Sequence, residues 1–240
     1  FGTKAVHGGL KPDPATGAIM TPIYQTSTYV QEAAGIHKGY EYSRSKNPTR
    51  SALEANVAAI ENGKFGAAFG SGLAAIDCII KMLNPGDEVI IFAPYWVSYS
   101  EMVKLAEGTS VIVQGAFDNN FKVTPEQFEA AITPKTKMVM FASPNNPTGS
   151  VYTESELRDI ANVVAGHENI FVLADEIYEY INFTQGGHFS IGSIPEIKER
   201  VITVNGVAKG HAMTGWRIGF IAAAKWIADG IEKLQGQVTS

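Results

Sequence analysis

The sequence predicts an α/β fold: three layers built on a mostly parallel, seven-stranded sheet. Three observations carry that expectation. Short apolar, largely β-branched segments recur near residues 66, 88, 110, 138, 170, 201 and 217. Amphipathic or capped helical patterns lie between most of them. Several of the apolar segments also run straight into polar, Gly- or Pro-rich turns, the position at which open α/β sheets gather ligands. With 240 residues, 45% hydrophobic and 18% charged, the chain can bury a sizeable core.

Residues 1–45 are dense in turn formers (Gly8-Gly9, Pro12-Asp13-Pro14, Gly17, Pro22, Gly35, Gly39) and read as an extended arm that needs a surface to lie on. Residues 46–240 read as the domain proper. Thr49 is the expected N-cap of a helix carrying Leu53, Val57 and Ile60 and ended by Gly63. Phe65–Phe69 is a weak strand, and Gly70-Ser71-Gly72-Leu73 opens an apolar helix to about Leu83. A glycine turn ahead of a helix offers backbone N–H groups to an anion. The stretch Gly70–Ala75 also fits the dinucleotide pattern G-x-G-x-x-A, but no acidic residue follows at the required distance, so a single phosphate suits it better.

A strand over Glu88–Phe92 leads through Ala93-Pro94-Tyr95-Trp96 into a helix to about Glu107. A strand over Ser110–Gln114 follows, and Thr124-Pro125-Glu126-Gln127 has the pattern of a capping box with Pro at the first helical position. Strand Met138–Ala142 runs into Ser143-Pro144-Asn145-Asn146-Pro147-Thr148-Gly149, a rigid turn that can hold a side-chain amide. Thr153-Glu154-Ser155-Glu156 is a second capping box, for a helix to about Ala165. The buried strand Asn169–Ala174 ends at Asp175-Glu176-Ile177-Tyr178, where the Asp suits either a helix cap or a carboxylate facing a ligand.

The last segments carry the most chemistry. The run Val201–Val204 breaks at Asn205-Gly206, and Lys209 stands among small residues, with Arg217 eight positions on at the start of another apolar run. The pattern suits a surface-loop lysine. It also allows a lysine with room at its tip for a carbonyl ligand and an arginine fork for a phosphate on that ligand.

From about residue 83 to residue 240 the chain resembles the class I aminotransferases, pyridoxal 5'-phosphate (PLP) enzymes of the aspartate aminotransferase superfamily. The resemblance rests on Lys209–Arg217, Asn146-Pro147-Thr148-Gly149 and Asp175-Glu176-Ile177-Tyr178. It implies the large PLP-binding domain of fold type I, with Lys209 as the Schiff-base lysine and Arg217 on the phosphate. It further implies that Trp96 stacks on the pyridine ring, with Tyr95 second. Asn146 and Tyr178 would lie at the phenolic oxygen and Asp175 at the ring nitrogen, with Glu176 structural. Two positions depart from the family pattern: Ala208 stands where a serine is usual, and Gly210-His211 where Ala-Phe is usual. Both imply weaker cofactor binding. The resemblance implies that these 240 residues stop short of the C-terminal small domain, whose arginine binds the substrate carboxylate in that family.

Residues 1 to about 80 resemble instead the cystathionine γ-synthase and γ-lyase family, through Tyr40–Arg50 and Gly70–Ala75. That resemblance implies a phosphate anchored by Ser71, Gly72 and Leu73, and by Tyr42 and Arg44 reaching across from a neighbouring subunit of a homodimer or higher homo-oligomer. The reaction expected is transamination between an amino acid and a 2-oxo acid. The alternatives are a PLP-dependent C–S lyase or γ-replacement enzyme, or a truncated or designed PLP-binding domain with little activity.

A net charge of -5 with mixed signs offers nothing to nucleic acid or an anionic membrane. Cys78 is the only cysteine, which fits a reducing, cytoplasmic setting, and no apolar stretch approaches the roughly 20 residues of a membrane helix. The five histidines show no metal-ligand spacing and read as surface or packing residues.

Overall fold

The computed structural model describes residues 2–238. They fall into two compact units, one formed by the chain up to Ala68 with the stretch from Lys225, the other by Phe69–Ala224. The strands are β1 (Phe65–Phe69), β2 (Glu88–Ala93), β3 (Thr109–Gln114), β4 (Thr136–Ala142), β5 (Phe171–Asp175), β6 (Val201–Gly206) and β7 (Gly219–Ala223). They form one seven-stranded sheet in the order β1-β7-β6-β5-β4-β2-β3. Strands β2 to β6 pair in parallel and β7 runs antiparallel to β6. This is the α/β class and strand number that the sequence predicts.

Strands β2, β4 and β5 are buried almost throughout, as expected of parallel strands covered on both faces. On one face Phe92, Phe128, Phe141 and Tyr152 interlock, with the rings of Phe92 and Phe141 stacked at 5.4 Å. The second unit's helices are α3 (Gly72–Ile80), α4 (Ser98–Leu105), α5 (Pro125–Ala131) and α6 (Glu154–Gly166). Both expected capping boxes are present in full, at Thr124/Gln127 and Thr153/Glu156.

The far end of α6 is held by Arg200. Its guanidinium donates to the carbonyls of Val164 at 3.0 Å, His167 at 2.7 Å and Ile170 at 3.0 Å. Val164 is in the last turn of α6, and His167 and Ile170 belong to the turn that leads to β5, so one cation ties the helix end to that turn. Arg200→Met is therefore expected to destabilise the fold by about 2 kcal/mol, read from urea denaturation followed by circular dichroism.

In the first unit α1 (Gly2–His7) packs on α2 (Pro48–Ile60), where Asn56 Nδ2 donates to the Gly8 carbonyl at 2.9 Å. The N-cap of α2 is Asn47, not Thr49: the Asn47 side chain accepts from the Thr49 and Arg50 N–H groups, and Pro48 occupies the first helical turn. Thr49 instead bonds the arm, accepting from Tyr24 N at 2.9 Å and donating to Pro22 O at 3.2 Å. The stretch before α2 is also more ordered than an extended arm. It contains α1, an Asp13-centred turn, and an antiparallel bridge between Thr28 and Tyr42. The last helix, α7 (Lys225–Val238), is tied within the same unit by Gln235 Nε2 donating to Ala68 O at 2.8 Å. Among the described residues, no helix is long and apolar enough to cross a membrane.

Candidate active site

The register of the central strands sets the height of the site. Ala142 of β4 lies beside Asp175 of β5, and Asp175 beside Val204 of β6. The segments leaving these strands carry Asn146, Tyr178 and Lys209, and so depart from one edge of the sheet. Strand β7 returns antiparallel with Gly219 opposite Gly206, which brings Arg217 to that same edge. Strand β6 continues through Asn205-Gly206, where the sequence suggests a break, because both residues pair with β7.

Gly219 also explains how the glycine loop reaches the site. A Cβ at Gly219 would lie 2.4 Å from the Gly72 nitrogen and 2.5 Å from the Ser71 carbonyl carbon. The two backbones touch only because this side chain is missing. Ser71 caps α3 by accepting from Ala74 N at 3.1 Å, Gly72 has open space where a Cβ would stand, and Leu73 is exposed. Gly219→Ala meets backbone rather than a yielding side chain. It is expected to cost about 1–3 kcal/mol in stability, read from urea melts.

Asp175 is the last residue of β5 and is 7% exposed. Its Oδ2 accepts from the Tyr99 hydroxyl at 2.6 Å and its Oδ1 from the Ile177 N–H at 3.2 Å. Burial pushes its carboxyl above the ordinary carboxylate range, and the Tyr99 hydroxyl opposes that push. The Ile177 bond turns the chain, but no helix follows for Asp175 to cap.

Lys209 is exposed, its Nζ lies 5.9 Å from the centroid of the Tyr178 ring, and it forms no ion pair among the described residues. Its loop is closed by Ala212 N donating to Lys209 O at 3.0 Å and Met213 N to Val207 O at 3.2 Å. Ala212 and Arg217 both adopt left-handed backbone, φ 53° and 55°. Non-glycine residues there cost about 1–3 kcal/mol each, a strain that clusters at functional sites. Arg217 is exposed and donates to Thr214 O at 3.0 Å.

The two asparagines of the β4 turn divide their work. Asn145 donates to Pro94 O at 3.1 Å and accepts from Thr148 N at 3.2 Å and Thr148 Oγ1 at 2.9 Å, so its amide is used by the fold. The Asn146 amide and the Tyr178 hydroxyl have no hydrogen bond among the described residues. Trp96 is half-buried, edge-on to the Tyr99 ring at 5.7 Å, and Tyr95 stacks on Tyr99 at 6.4 Å. Tyr42 and Arg44 belong to the first unit, where the guanidinium lies 5.1 Å from the Tyr42 ring centroid.

Several residues of this region escape the sequence reading. Tyr99 is one; its only signal is that it falls on the buried face of α4 with Met102 and Val103. Asn205 is 2% exposed, donates to Glu179 Oε1 at 2.9 Å and accepts from Gly206 N at 2.8 Å. The Tyr180 ring lies 5.0 Å from that of His211 and fills the space where a Cβ of Gly210 would come within 2.8 Å of it. Glu176 is buried and structural as expected, with Ser190 donating to it at 2.8 Å and His188 paired at 3.0 Å.

The family model described as aminotransferase class I and II matches residues 50–240. The chain belongs to that family. A probable aspartate/prephenate aminotransferase of Rickettsia bellii is 49% identical over 159 residues, 66% of this chain and 40% of the relative. The aspartate/prephenate aminotransferase of Nitrosomonas europaea is 35% identical over 230 residues, 91% of this chain and 58% of its own length. In the crystal structure of an aspartate aminotransferase from Rhizobium meliloti, a stretch covering 73% of this chain and 44% of that one superposes with a TM-score of 0.71 at 36% identity. The chain therefore spans about two fifths to three fifths of the relatives it matches. An alignment over 91% of the chain takes in most of its first 80 residues, so aminotransferase similarity is not confined to the later part.

Enzymes of the aspartate aminotransferase family use PLP. The residues of this aminotransferase-family chain fit that group. An amine without an ion pair, a guanidinium, a glycine cradle with open space at Gly72, an uncommitted amide and phenol, and a buried carboxylate share one sheet edge.

Proposed function

We propose that this chain is the PLP-binding part of a transaminase that moves an amino group between an amino acid and a 2-oxo acid. The observation that carries this is the convergence of Lys209, Asp175, Asn146, Tyr178 and Arg217 at one edge of the sheet, with the amine, amide and phenol left unspent by the fold. When bound, PLP supplies an electron sink for the charge left as the α-proton departs. Lys209 would hold the cofactor through its amine and would serve as the general base for that proton. Asp175 would keep the ring nitrogen protonated, Asn146 and Tyr178 would hold the phenolic oxygen, and Trp96 would cover the ring. Ser71, Gly72, Leu73 and Arg217 anchor the phosphate.

Three other arginines are engaged elsewhere: Arg158 with Glu154, Arg200 with carbonyls at and beyond the end of α6, and Arg50 with Glu54 and the carbonyls of Arg44 and Ser45. None of the five is assigned here to a substrate carboxylate. The first test is a visible spectrum with PLP before and after aspartate or cystathionine, with borohydride fixation. A shifted band that borohydride fixes to Lys209 and that aspartate changes supports transamination. No shifted band overturns it.

A homodimer with Tyr42 and Arg44 reaching a neighbour's phosphate is supported by the exposure of Ile19, Met20, Ile23, Val30 and Ile36 in the first unit, Val30 being 92% exposed. A monomer by light scattering that binds PLP at full strength would remove those two roles. The same Tyr42-Ser43-Arg44 motif supports the C–S lyase alternative, which predicts ammonia and a 2-oxo acid from cystathionine. PLP binding without turnover of any amino acid selects a binding domain of little activity. Cys78, the single cysteine, is buried with its thiol pushed up to about 11, and supports a reducing compartment such as the cytoplasm.

A further inference from the structure

Asp175 can keep a ring nitrogen protonated only while it is itself ionised, and its surroundings work against that. Burial is the largest influence on it and favours the neutral acid, and the Glu176 carboxylate at the next position adds to that push. Among the described residues no lysine, arginine or histidine is paired with Asp175. Two hydrogen bonds stand on the other side, the Ile177 N–H on Oδ1 and the Tyr99 hydroxyl on Oδ2. The second is the shorter, at 2.6 Å, and comes from a side chain that is 1% exposed.

We propose that Tyr99 is a positioning residue for Asp175, its sealed hydroxyl fixing one carboxylate oxygen and holding the group ionised for the cofactor ring. The inference rests on the PLP reading of the site. The ring that carries the hydroxyl cannot easily turn away: Tyr95 stacks on it at an interplanar angle of 10° and Trp96 meets it at 85°. One donor reaches each oxygen of Asp175, an arrangement that suits the ionised form, which accepts at both. Each carboxylate oxygen keeps a further lone pair, so these two bonds leave capacity for a ring N–H. Tyr99 is itself held as the neutral donor, since burial and the neighbouring Asp175 charge push its hydroxyl well above the ordinary tyrosine value, with Tyr178 adding to that push. The aromatic cluster at the start of α4 thus has two tasks, with Trp96 toward the ring face and Tyr99 toward the carboxylate.

The test is a carboxyl titration on the protein without cofactor, using carbon-13-labelled aspartate and NMR, with Asp175→Asn to assign the signal. In Tyr99→Phe, which keeps the ring and removes only the hydroxyl, the Asp175 midpoint is expected to rise by about one pH unit or more. An unchanged midpoint overturns the proposal. The same variant should bind PLP about tenfold more weakly between the two midpoints and recover wild-type affinity above both, where Asp175 is ionised with or without the hydroxyl. A merely structural role would weaken binding at every pH, and that result also overturns the proposal. If Tyr99→Phe does not fold, the wild-type protein decides: the Tyr99 hydroxyl proton must move with the Asp175 titration, and a signal indifferent to it removes the coupling. Failure of the wild-type protein to bind PLP would overturn the proposed function, while the cofactor-free titration still decides the role of Tyr99.

Discussion

Replacing Lys209 with alanine is expected to abolish covalent retention of PLP and to leave the fold standing. The lysine is exposed, its Nζ makes no ion pair among the described residues, and its one recorded contact is the Tyr178 ring at 5.9 Å. An exposed cation over a ring is worth about 0.5–1 kcal/mol, so the melt should shift by no more than that. Borohydride treatment followed by mass spectrometry should find the pyridoxyl label on Lys209 in the wild type and nowhere in the variant. Any transamination should fall by at least about 10²–10⁴-fold with the loss of the proton-moving group. Lys209→Arg separates charge from chemistry: it keeps a cation near Tyr178 but has no amine able to condense with an aldehyde. Label retained in Lys209→Ala at the wild-type level would mean that another lysine holds the cofactor.

The same residue shows how far the sequence carried. The Lys209 loop stands out by local residues, small ones around one lysine with a β-branched run before it and an arginine after it; they suit a surface loop as well as a ligand site, and the resemblance to class I aminotransferases is what favours the second. The strands and both capping boxes were legible from local residues, since apolar periodicity and cap residues act over a few positions. The misses are contacts between distant segments. The bond between Tyr99 and Asp175 joins residues 76 apart, and no periodicity within α4 states which strand end its hydroxyl meets. Gly219 reads as an ordinary strand glycine until the Ser71-Gly72 backbone is laid against it. Asn205-Gly206 reads as a turn and is a strand, because pairing with Phe220 and Gly219 outweighs the local preference of both residues. Asn47 took the cap from Thr49 since Pro48 suits the first helical turn, which leaves Thr49 inside the helix and free to tie down the arm.

Asp175→Asn should stabilise the cofactor-free protein at neutral pH and weaken its hold on PLP. Burial raises the Asp175 carboxyl above its ordinary value of 3.8. The folded state therefore binds a proton more tightly than the unfolded chain does. The stability linked to that proton is complete below the ordinary value and is lost as pH rises through the higher folded one. Above both, the native protein carries a buried charge that asparagine does not, and asparagine can still meet Tyr99 and Ile177 with one donor and one acceptor. The variant should thus gain on the wild type as pH rises from 3.8 through the higher folded value of Asp175 and keep that gain at neutral pH. Urea melts across this range measure it. Glu54 and Glu179, also raised by burial, contribute the same slope to both proteins and cancel in the difference. Parallel stability curves would show that Asp175 is not ionised at a cost in the native state. For PLP the order reverses, because a charge-assisted bond to a ring N–H is worth about 1.5–3 kcal/mol, and its loss should weaken binding about tenfold or more. A residue that destabilises the empty fold and strengthens the loaded one is kept for what it binds.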